Sequence, residues 1–145
     1  MCVDIDLHIH WDLVYARYTI ISQTKGIHGF TASCKIRMNI TWATYEFEVL
    51  NMDGMWKNMG GVYIFSGLKD NSWRAYYVGI TDSFQDRHPD HERWEEAKRL
   101  GAAHVHARSE PQAAVRERIE RELIVTYQPP LNLYSCVRSS AKGGH

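Results

Sequence analysis

Tyrosine and arginine side chains that could bind and activate groups around a phosphate lie close together in the middle of this chain. Tyr63 lies in one apolar run, Tyr76 and Tyr77 lie in the next, and Arg87 follows Tyr77 by ten residues. An arginine guanidinium is planar and pairs with two phosphate oxygens at once. Neighbouring residues of a strand point to opposite faces, so we expect only one of Tyr76 and Tyr77 to share the face of Tyr63. Taken alone, tyrosines in strands more often pack than react.

The helix predicted near the end of the chain carries one carboxylate close to its buried face. Its apolar stripe recurs every four residues and consists of Val115, Ile119, Leu123 and Tyr127, widened by Ile124. At about 100° per residue, Glu120 falls beside this stripe, whereas Glu117 and Glu122 fall toward the polar side. A half-buried carboxylate needs a partner. Arg116, one turn earlier, would make a structural ion pair, which the helix alone favours, and a divalent metal is the other partner that fits.

Histidines and cysteines give weaker indications of a metal site. His104 and His106 share one face of a predicted strand, and His8 and His10 repeat this spacing near the N-terminus. Neither pair has a third ligand at a credible spacing, so we expect both to be structural. The three cysteines are far apart and contain no CxxC pair, which predicts neither a zinc ribbon nor a disulfide scaffold and fits a reducing cytoplasm.

The secondary structure that must position these side chains is predicted most clearly between residues 61 and 134. The order is strand, strand, helix, strand, helix, with Asp70 and Asn71 in the turn of the first hairpin. Pro89 should interrupt the first helical stretch, so that its second part begins at Pro89 and stops at Gly101. The predicted elements are strands 62–66, 73–81 and 102–108, helices over 82–88 and 89–100, and a last helix from Glu110–Pro111 to about Thr126.

These elements predict a small α/β (α+β) fold, in which a three-stranded antiparallel sheet is flanked by helices that cover at least one face. Residues 1–57 are rich in β-branched and aromatic residues, which suggests strands, but their pattern shows no single core face. We therefore divide the chain into a β-rich N-terminal extension (1–57), a domain (58–134) and a mobile tail (135–145). Met38 is a candidate second start, because the better-patterned sequence follows it.

The composition limits the class of protein. With 145 residues, the chain is long enough for one domain with an extension and for a core of its own. Lysine plus arginine and aspartate plus glutamate number 17 each, which excludes a histone-like protein that binds through bulk positive charge, although not a local basic groove. There is no long apolar run and no basic segment at the N-terminus, so we expect a cytoplasmic protein without a membrane span or secretory signal.

Five positions in order resemble the GIY-YIG nuclease superfamily. They are the triplets Gly61-Val62-Tyr63 and Tyr77-Val78-Gly79, followed by Arg87, Glu120 and Asn132. The spacings from Tyr77 to Arg87 and from Glu120 to Asn132 also resemble those of the family. The resemblance covers residues 60–134. It implies a three-stranded antiparallel sheet with flanking helices, and hydrolysis of phosphodiester bonds in nucleic acid with one divalent metal, Mg²⁺ or Mn²⁺.

The resemblance also implies a role for each matched residue. Glu120 would be the metal ligand, and Tyr63 would activate the attacking water, directly or through the metal. Tyr77 and Arg87 would orient and neutralise the scissile phosphate, while Asn132 would hold the region around the site in shape. This chemistry fits the residues, because a phosphate gains negative charge in the transition state and one carboxylate with several waters is a normal Mg²⁺ site. A tyrosine base needs Mg²⁺ and Arg87 to lower its pKa from its usual value near 10.

The chain departs from the family pattern at several positions. Val62 replaces an isoleucine, Ile80 stands where some members carry a lysine, and Pro89 interrupts a helix that is often continuous. His91 lies four residues after Arg87, where many members have a histidine, so we include His91 among the candidate catalytic residues.

The function that these observations predict is that of a small metal-dependent endonuclease acting on DNA, with single-stranded, branched and duplex substrates all open. We find neither a zinc finger nor a helix-turn-helix, and charges balance over residues 87–122, so we expect modest, salt-sensitive binding. A restriction-type or mobile-element nuclease is the alternative within this class. The alternative from another class is a nucleic-acid-binding module whose catalysis has lapsed.

Overall fold

The computed structural model describes residues 9–11, 14–21, 35–50, 57–87 and 91–133, and it describes side chains from residue 38 onward within these ranges. These residues form seven strands and three helices. The strands are β1 Ile9–Trp11, β2 Val14–Ile21, β3 Lys35–Trp42, β4 Tyr45–Leu50, β5 Gly61–Lys69, β6 Ser72–Thr81 and β7 His104–Ser109. The helices are α1 Phe84–Arg87, α2 Glu92–Leu100 and α3 Ala113–Tyr127. A single helical turn follows over 130–133.

The described strands form one antiparallel sheet in the order β1-β2-β3-β4-β7-β5-β6. The predicted α+β class, with an antiparallel sheet flanked by helices, is confirmed. The predicted number of three strands is wrong, because β4 pairs with β7 and carries β3, β2 and β1 into the same sheet. The chain position of β4 gives no local signal for this pairing, since Leu50 lies opposite Val105, far along the sequence.

The hairpin of β5 and β6 follows the sequence prediction closely. Asp70 and Asn71 form its two-residue turn with φ values of 52° and 60°. A two-residue turn with positive φ at both positions matches the right-handed twist of the strands, and Asp and Asn tolerate this backbone conformation. The predicted turn residues are therefore confirmed, and β6 is the strand at one edge of the sheet.

Helices cover both faces of the sheet, and each face has its own core. The α3-side core consists of Ile40, Trp42, Phe47, Val62, Ile64, Val78, Ile119 and Leu123. The α2-side core consists of Tyr63, Phe65, Tyr76, Phe84, Ala97, Ala102, Val105, Ala107 and Leu131. Alternation along β5 sends Val62 and Ile64 to the first core and Tyr63 and Phe65 to the second. The predicted apolar stripe of α3 is confirmed by the burial of Ile119 and Leu123.

The helix boundaries differ from the prediction at their N-terminal ends. Helix α2 begins at Glu92, with His91 as its N-cap, and not at Pro89, which lies outside the described residues. It stops at Gly101, which has a φ of 118°, as predicted. Helix α3 begins at Ala113, with Gln112 as its N-cap, so Glu110–Pro111 precede the helix.

The predicted division of the chain stays a prediction. Its boundary after residue 57 follows residues 51–56, and its mobile tail covers 135–145; both segments lie outside the described residues. Strands β3 and β4 nevertheless contribute Ile40, Trp42 and Phe47 to the same core as α3. None of the helices formed by the described residues is long and apolar enough to span a bilayer.

Candidate active site

Two glycines allow Tyr63 to lie where it does on the α2 side of the sheet. Gly79 on β6 lies opposite Tyr63 on β5, and a Cβ atom at Gly79 would lie 2.6 Å from both Cζ and the hydroxyl oxygen of Tyr63. A Cβ at Gly61 would lie 2.4 Å from the Phe84 ring. Both separations are far below van der Waals contact, so a side chain at either position would displace the Tyr63 ring or α1. Close packing therefore explains why glycine occupies these two positions of the matched triplets.

The hydroxyl of Tyr63 meets the histidine that caps α2. Tyr63 is 1% exposed, and its hydroxyl lies 2.6 Å from Nε2 of His91, which is also buried. Nδ1 of His91 accepts a hydrogen bond from the backbone N–H of Arg93 at 3.1 Å. Because Nδ1 is an acceptor, a neutral His91 carries its proton on Nε2, which donates to Tyr63. The N-cap bond of α2 thus fixes His91 as a donor toward the tyrosine.

Arg87 and Tyr77 complete the hydrogen bonds around this hydroxyl. Burial raises the pKa of Tyr63 well above its usual value of 10, the proximity of Tyr77 raises it further, and a hydrogen bond from Arg87 lowers it. The hydrogen bond between the two tyrosines raises the pKa of Tyr63 and lowers that of Tyr77, which identifies Tyr63 as the donor. Arg87 therefore acts in the direction expected from the sequence, but burial outweighs it.

Tyr77 lies on the same side of the sheet as Tyr63 and close to the charge of Glu120. The two tyrosine rings have centroids 6.1 Å apart, and the His91 ring meets Tyr77 in a T-shaped contact at 5.5 Å. Burial is the largest factor that raises the pKa of Tyr77, and the charge of Glu120 on α3 raises it further. Tyr77 therefore connects the α2-side cluster electrostatically to the glutamate of α3.

A β-bulge overturns the expectation that Tyr76 and Tyr77 face opposite ways. Phe65 pairs with Tyr77 and Ser66 pairs with Ala75, which leaves Tyr76 as the extra residue of β6. Both tyrosines consequently pack on the α2 side. Their positions still differ, because the Tyr76 hydroxyl lies beside Gly101, at the end of α2, where an added Cβ would be 3.0 Å away.

Glu120 does not form the ion pair that the helix alone favoured. Arg116 hydrogen-bonds through Nη2 to Asp82, and through Nη1 to the carbonyl oxygens of Glu110 and Pro111 at 3.0 Å each. Arg116 is buried, and its contacts tie α3 to the segments that directly follow β6 and β7. The proposed Arg116–Glu120 pair is therefore wrong, because the guanidinium is already engaged on another side of α3.

The carboxylate of Glu120 makes no hydrogen bond or ion pair with any described residue. Glu120 is half-buried on α3. Burial raises the pKa of Glu120 above its usual value, the charge of Glu117 adds to this, and Arg121 opposes it. Within the described residues, no cluster of three or more His, Cys, Asp or Glu side chains could hold a metal by itself. Any ion at Glu120 would therefore have at most two such ligands from this part of the chain, and bound waters would complete its coordination, which fits Mg²⁺.

Asn132 closes the outer edge of β6 beside Tyr77. Its Oδ1 accepts the backbone N–H of Val78 at 2.8 Å, and its Nδ2 donates to the carbonyl of Val78 at 2.8 Å. Because β6 is an edge strand, these two backbone groups point away from the sheet and have no strand partner there. The asparagine amide therefore replaces a strand at the residue that follows Tyr77.

The paired histidines of β7 have structural partners. His106 is fully buried and accepts a hydrogen bond at Nδ1 from the Trp42 indole at 2.8 Å. Burial lowers the pKa of His106 to about 3, and the charge of His104 lowers it further, so His106 is neutral at pH 7. His104 packs edge-on against Trp73 with ring centroids 5.5 Å apart. These contacts agree with a structural role for His104 and His106, which stays a prediction, and the side chains of His8 and His10 lie outside the described residues.

Sequence reasoning missed the contact between Tyr63 and His91 and the engagement of Arg116 by Asp82. The signal for the first was weak, since histidine is not a favoured N-cap residue and Pro89 obscures where α2 begins. No signal pointed to the second, because it joins residues far apart in the chain.

No protein-family model, curated protein or solved structure matches this chain. The interpretation of the site therefore depends on its residues and their geometry.

Proposed function

We propose that this chain is a metal-dependent endonuclease of the GIY-YIG kind, which hydrolyses phosphodiester bonds in DNA. The observation that carries this proposal is the convergence of Tyr63, Tyr77, Arg87 and His91 on one hydroxyl cluster, with Glu120 acting electrostatically on Tyr77. This set supplies the groups that phosphate hydrolysis needs: cationic and N–H donors, hydroxyls and a carboxylate that no described residue pairs with.

The protein side chains would divide the work as follows. Arg87 is exposed on α1 and can turn its planar guanidinium toward two phosphate oxygens, which neutralises charge as the reaction proceeds. Tyr63 first gives up its own proton to solvent base, and the N–H of His91 with the guanidinium of Arg87 stabilises the phenolate that remains. The phenolate then accepts the proton of the attacking water and is restored to the neutral phenol. Tyr77 contacts the scissile phosphate beside them, and Asn132 keeps β6 from moving outward at Val78.

Glu120 is the residue that would hold Mg²⁺ or Mn²⁺. A half-buried carboxylate whose pKa is raised by burial and by Glu117, and which has no partner among the described residues, is stabilised by a cation. The bound ion would supply positive charge to the reacting phosphate and lower the pKa of a water bound to it.

The experiment that tests the function is cleavage of supercoiled plasmid and of single-stranded DNA with Mg²⁺ or with EDTA. We expect cleavage with Mg²⁺ only, and we expect Glu120→Gln to abolish it without weakening DNA binding. Glu117→Gln is the matched control, because it removes an exposed carboxylate one turn earlier on α3 and should leave cleavage near the wild-type rate.

Three results would contradict the proposal. DNA that is bound but never cut would favour the lapsed nucleic-acid-binding module instead. Equal activity of wild type and Glu120→Gln would remove the metal assignment, and cleavage that persists in EDTA would remove the metal requirement.

A further inference from the structure

A second groove with a different chemistry lies on the α3 side of the sheet. It has a volume of about 710 Å³ and continues around the exposed edge of β6 to the α2 side, where Tyr76 and Leu100 line it. The residues that matter for its chemistry are Trp73, Tyr127, Lys69 and Arg74. Tyr63, Tyr77, Arg87 and His91 are absent from its lining, so the groove does not include the hydroxyl cluster.

Internal contacts hold the aromatic rings of this groove in place. The indole N–H of Trp42 donates to His106, and the hydroxyl of Tyr127 accepts the backbone N–H of Ala43 at 2.6 Å. The Trp42 and Tyr127 rings meet at 89° with centroids 4.9 Å apart, and Trp73 packs edge-on against His106 at 4.7 Å. Trp42 is 1% exposed and therefore supports the groove from below, whereas Trp73 and Tyr127 are half-buried and can be reached by a ligand. Rings held in this way lose little freedom when a ligand binds.

The charged residues that line the groove are positive within the part of the chain that the structure describes. They are Lys69 and Arg74, and both are exposed. Neither cation forms an ion pair with a described residue, and Asp70 follows Lys69 in the hairpin turn. The groove therefore combines aromatic rings with two cations and favours a ligand that has flat rings and negative charge.

We propose that this groove binds single-stranded nucleic acid that crosses the edge of β6, with an unpaired base stacked on Trp73 on the α3 side and the neighbouring phosphates paired with Lys69 and Arg74 on the other side. Base stacking on aromatic side chains, combined with cations along the backbone, is how proteins hold single strands without reading their sequence. A duplex fits less well, because its base faces are covered by their neighbours. The inference deepens the proposed function by naming the unpaired nucleotide as part of the substrate, and it rests on that proposal only for the reaction that follows binding.

The test is the affinity of labelled oligothymidine and oligouridine in EDTA, measured by fluorescence anisotropy on the full chain. We expect Trp73→Ala to weaken binding about tenfold, the effect of losing one base–aromatic stack, and Trp73→Phe to weaken it less because a ring remains. Lys69→Gln combined with Arg74→Gln should reduce the slope of log affinity against log salt by about 1.4, at about 0.7 per phosphate contact. Arg118→Gln, which removes one positive charge, is the control for each of the two substitutions made singly, because Arg118 is exposed on α3 about 13.5 Å before Tyr127 and lies outside the groove.

Several outcomes would overturn the proposal. One is unchanged affinity and salt slope in the Lys69 and Arg74 double variant, whose exposed positions leave the fold intact. Another is equal binding of a duplex of the same length. A third is a proline-rich or acidic peptide that binds in a Trp73-dependent manner while the oligonucleotides do not, which would make the groove a peptide site. Weaker binding of oligouridine than of oligothymidine, or the reverse, identifies which nucleic acid it prefers.

Because this assay contains EDTA, its result is independent of cleavage. Groove-dependent binding without Mg²⁺-dependent cleavage would support the groove and contradict the endonuclease. Mg²⁺-dependent cleavage, together with an affinity that the groove substitutions do not change, would support the endonuclease and contradict the groove.

Discussion

Removal of the Asn132 side chain should destabilise the protein by an amount that follows from its two contacts with Val78. Both hydrogen bonds are 2.8 Å long, and both satisfy backbone groups of a buried residue on an edge strand. A net hydrogen bond is worth about 1 kcal/mol, so Asn132→Ala should lower the free energy of unfolding by about 2 kcal/mol. For a domain of this size, that corresponds to a melting temperature about 6 °C lower.

The assay is urea unfolding followed by tryptophan fluorescence, with Leu133→Ala as the control. Leu133 is the next residue and is 45% exposed, so its truncation should change the free energy of unfolding by less than about 0.5 kcal/mol. Asn132→Asp keeps an acceptor for the N–H of Val78 but places a second oxygen against the carbonyl. It should therefore destabilise the protein at least as much as Asn132→Ala at neutral pH, and less once the carboxyl is protonated below about pH 4.

A free energy of unfolding for Asn132→Ala within about 0.5 kcal/mol of wild type would refute the reasoning, because it would mean that water replaces the amide at no cost. The same variant should also slow cleavage, since Val78 lies between Tyr77 and Gly79 in the strand that forms the candidate site.

Three further predictions concern acid stability, the buried arginine and the N-terminal residues. Since burial lowers the pKa of His106 to about 3, the folded state favours the neutral ring. The free energy of unfolding should therefore fall as the pH falls from about 6.5 toward 3, and it should fall less in His106→Gln. Urea unfolding at several pH values measures both. Arg116→Gln should destabilise the protein by about 3 kcal/mol in the same assay at neutral pH, because the carbonyls of Glu110 and Pro111 each lose a hydrogen bond from a charged donor, worth about 1.5 kcal/mol. Asp82 is 95% exposed and adds little, and Glu120→Gln should not destabilise the protein. A chain that begins at Met38 should stay soluble, without aggregate in size-exclusion chromatography, and cut DNA, because Ile40, Trp42 and Phe47 are retained.

Each of these predictions has a result that would contradict it. Equal acid sensitivity of wild type and His106→Gln would mean that His106 does not resist protonation. A lower free energy of unfolding for Glu120→Gln than for Arg116→Gln would indicate that Glu120 does form an ion pair with Arg116. Aggregation of the chain that begins at Met38 would mean that β2 is needed to cover the edge of β3, with which it pairs.

The hairpin of β5 and β6 and the apolar face of α3 could be predicted from the sequence because local rules determine both. Asp70 and Asn71 suit the two-residue turn, and Ile119 and Leu123 recur at the helical period. The predicted number of strands was wrong, because strand pairing here depends on residues far apart in the sequence. Val105 lies opposite Leu50 of β4, and no local pattern announces that pairing.

The candidate site could be predicted in its residues but not in its hydrogen bonds. The spacing of Tyr63, Tyr77 and Arg87 predicted that these residues lie close together. Their contacts arise because the hairpin register places the two tyrosines side by side and α1 brings Arg87 to them. The bulge at Tyr76 could not be predicted, because one extra residue changes the face of a side chain without changing the hydrophobic pattern. The donor role of His91 depends on the N-cap bond to Arg93, which only the structure reveals.

The most direct test of the central claim is the single-turnover rate of DNA cleavage by Tyr63→Phe with Mg²⁺. This variant removes one hydroxyl from a ring that is 1% exposed and keeps the ring, so the melting temperature should stay close to that of wild type. If the Tyr63 hydroxyl accepts the proton, the rate should fall by at least about 100-fold, and the wild-type rate should rise with pH toward the raised pKa of Tyr63. A Tyr63→Phe protein that cuts DNA at the wild-type rate would contradict the account.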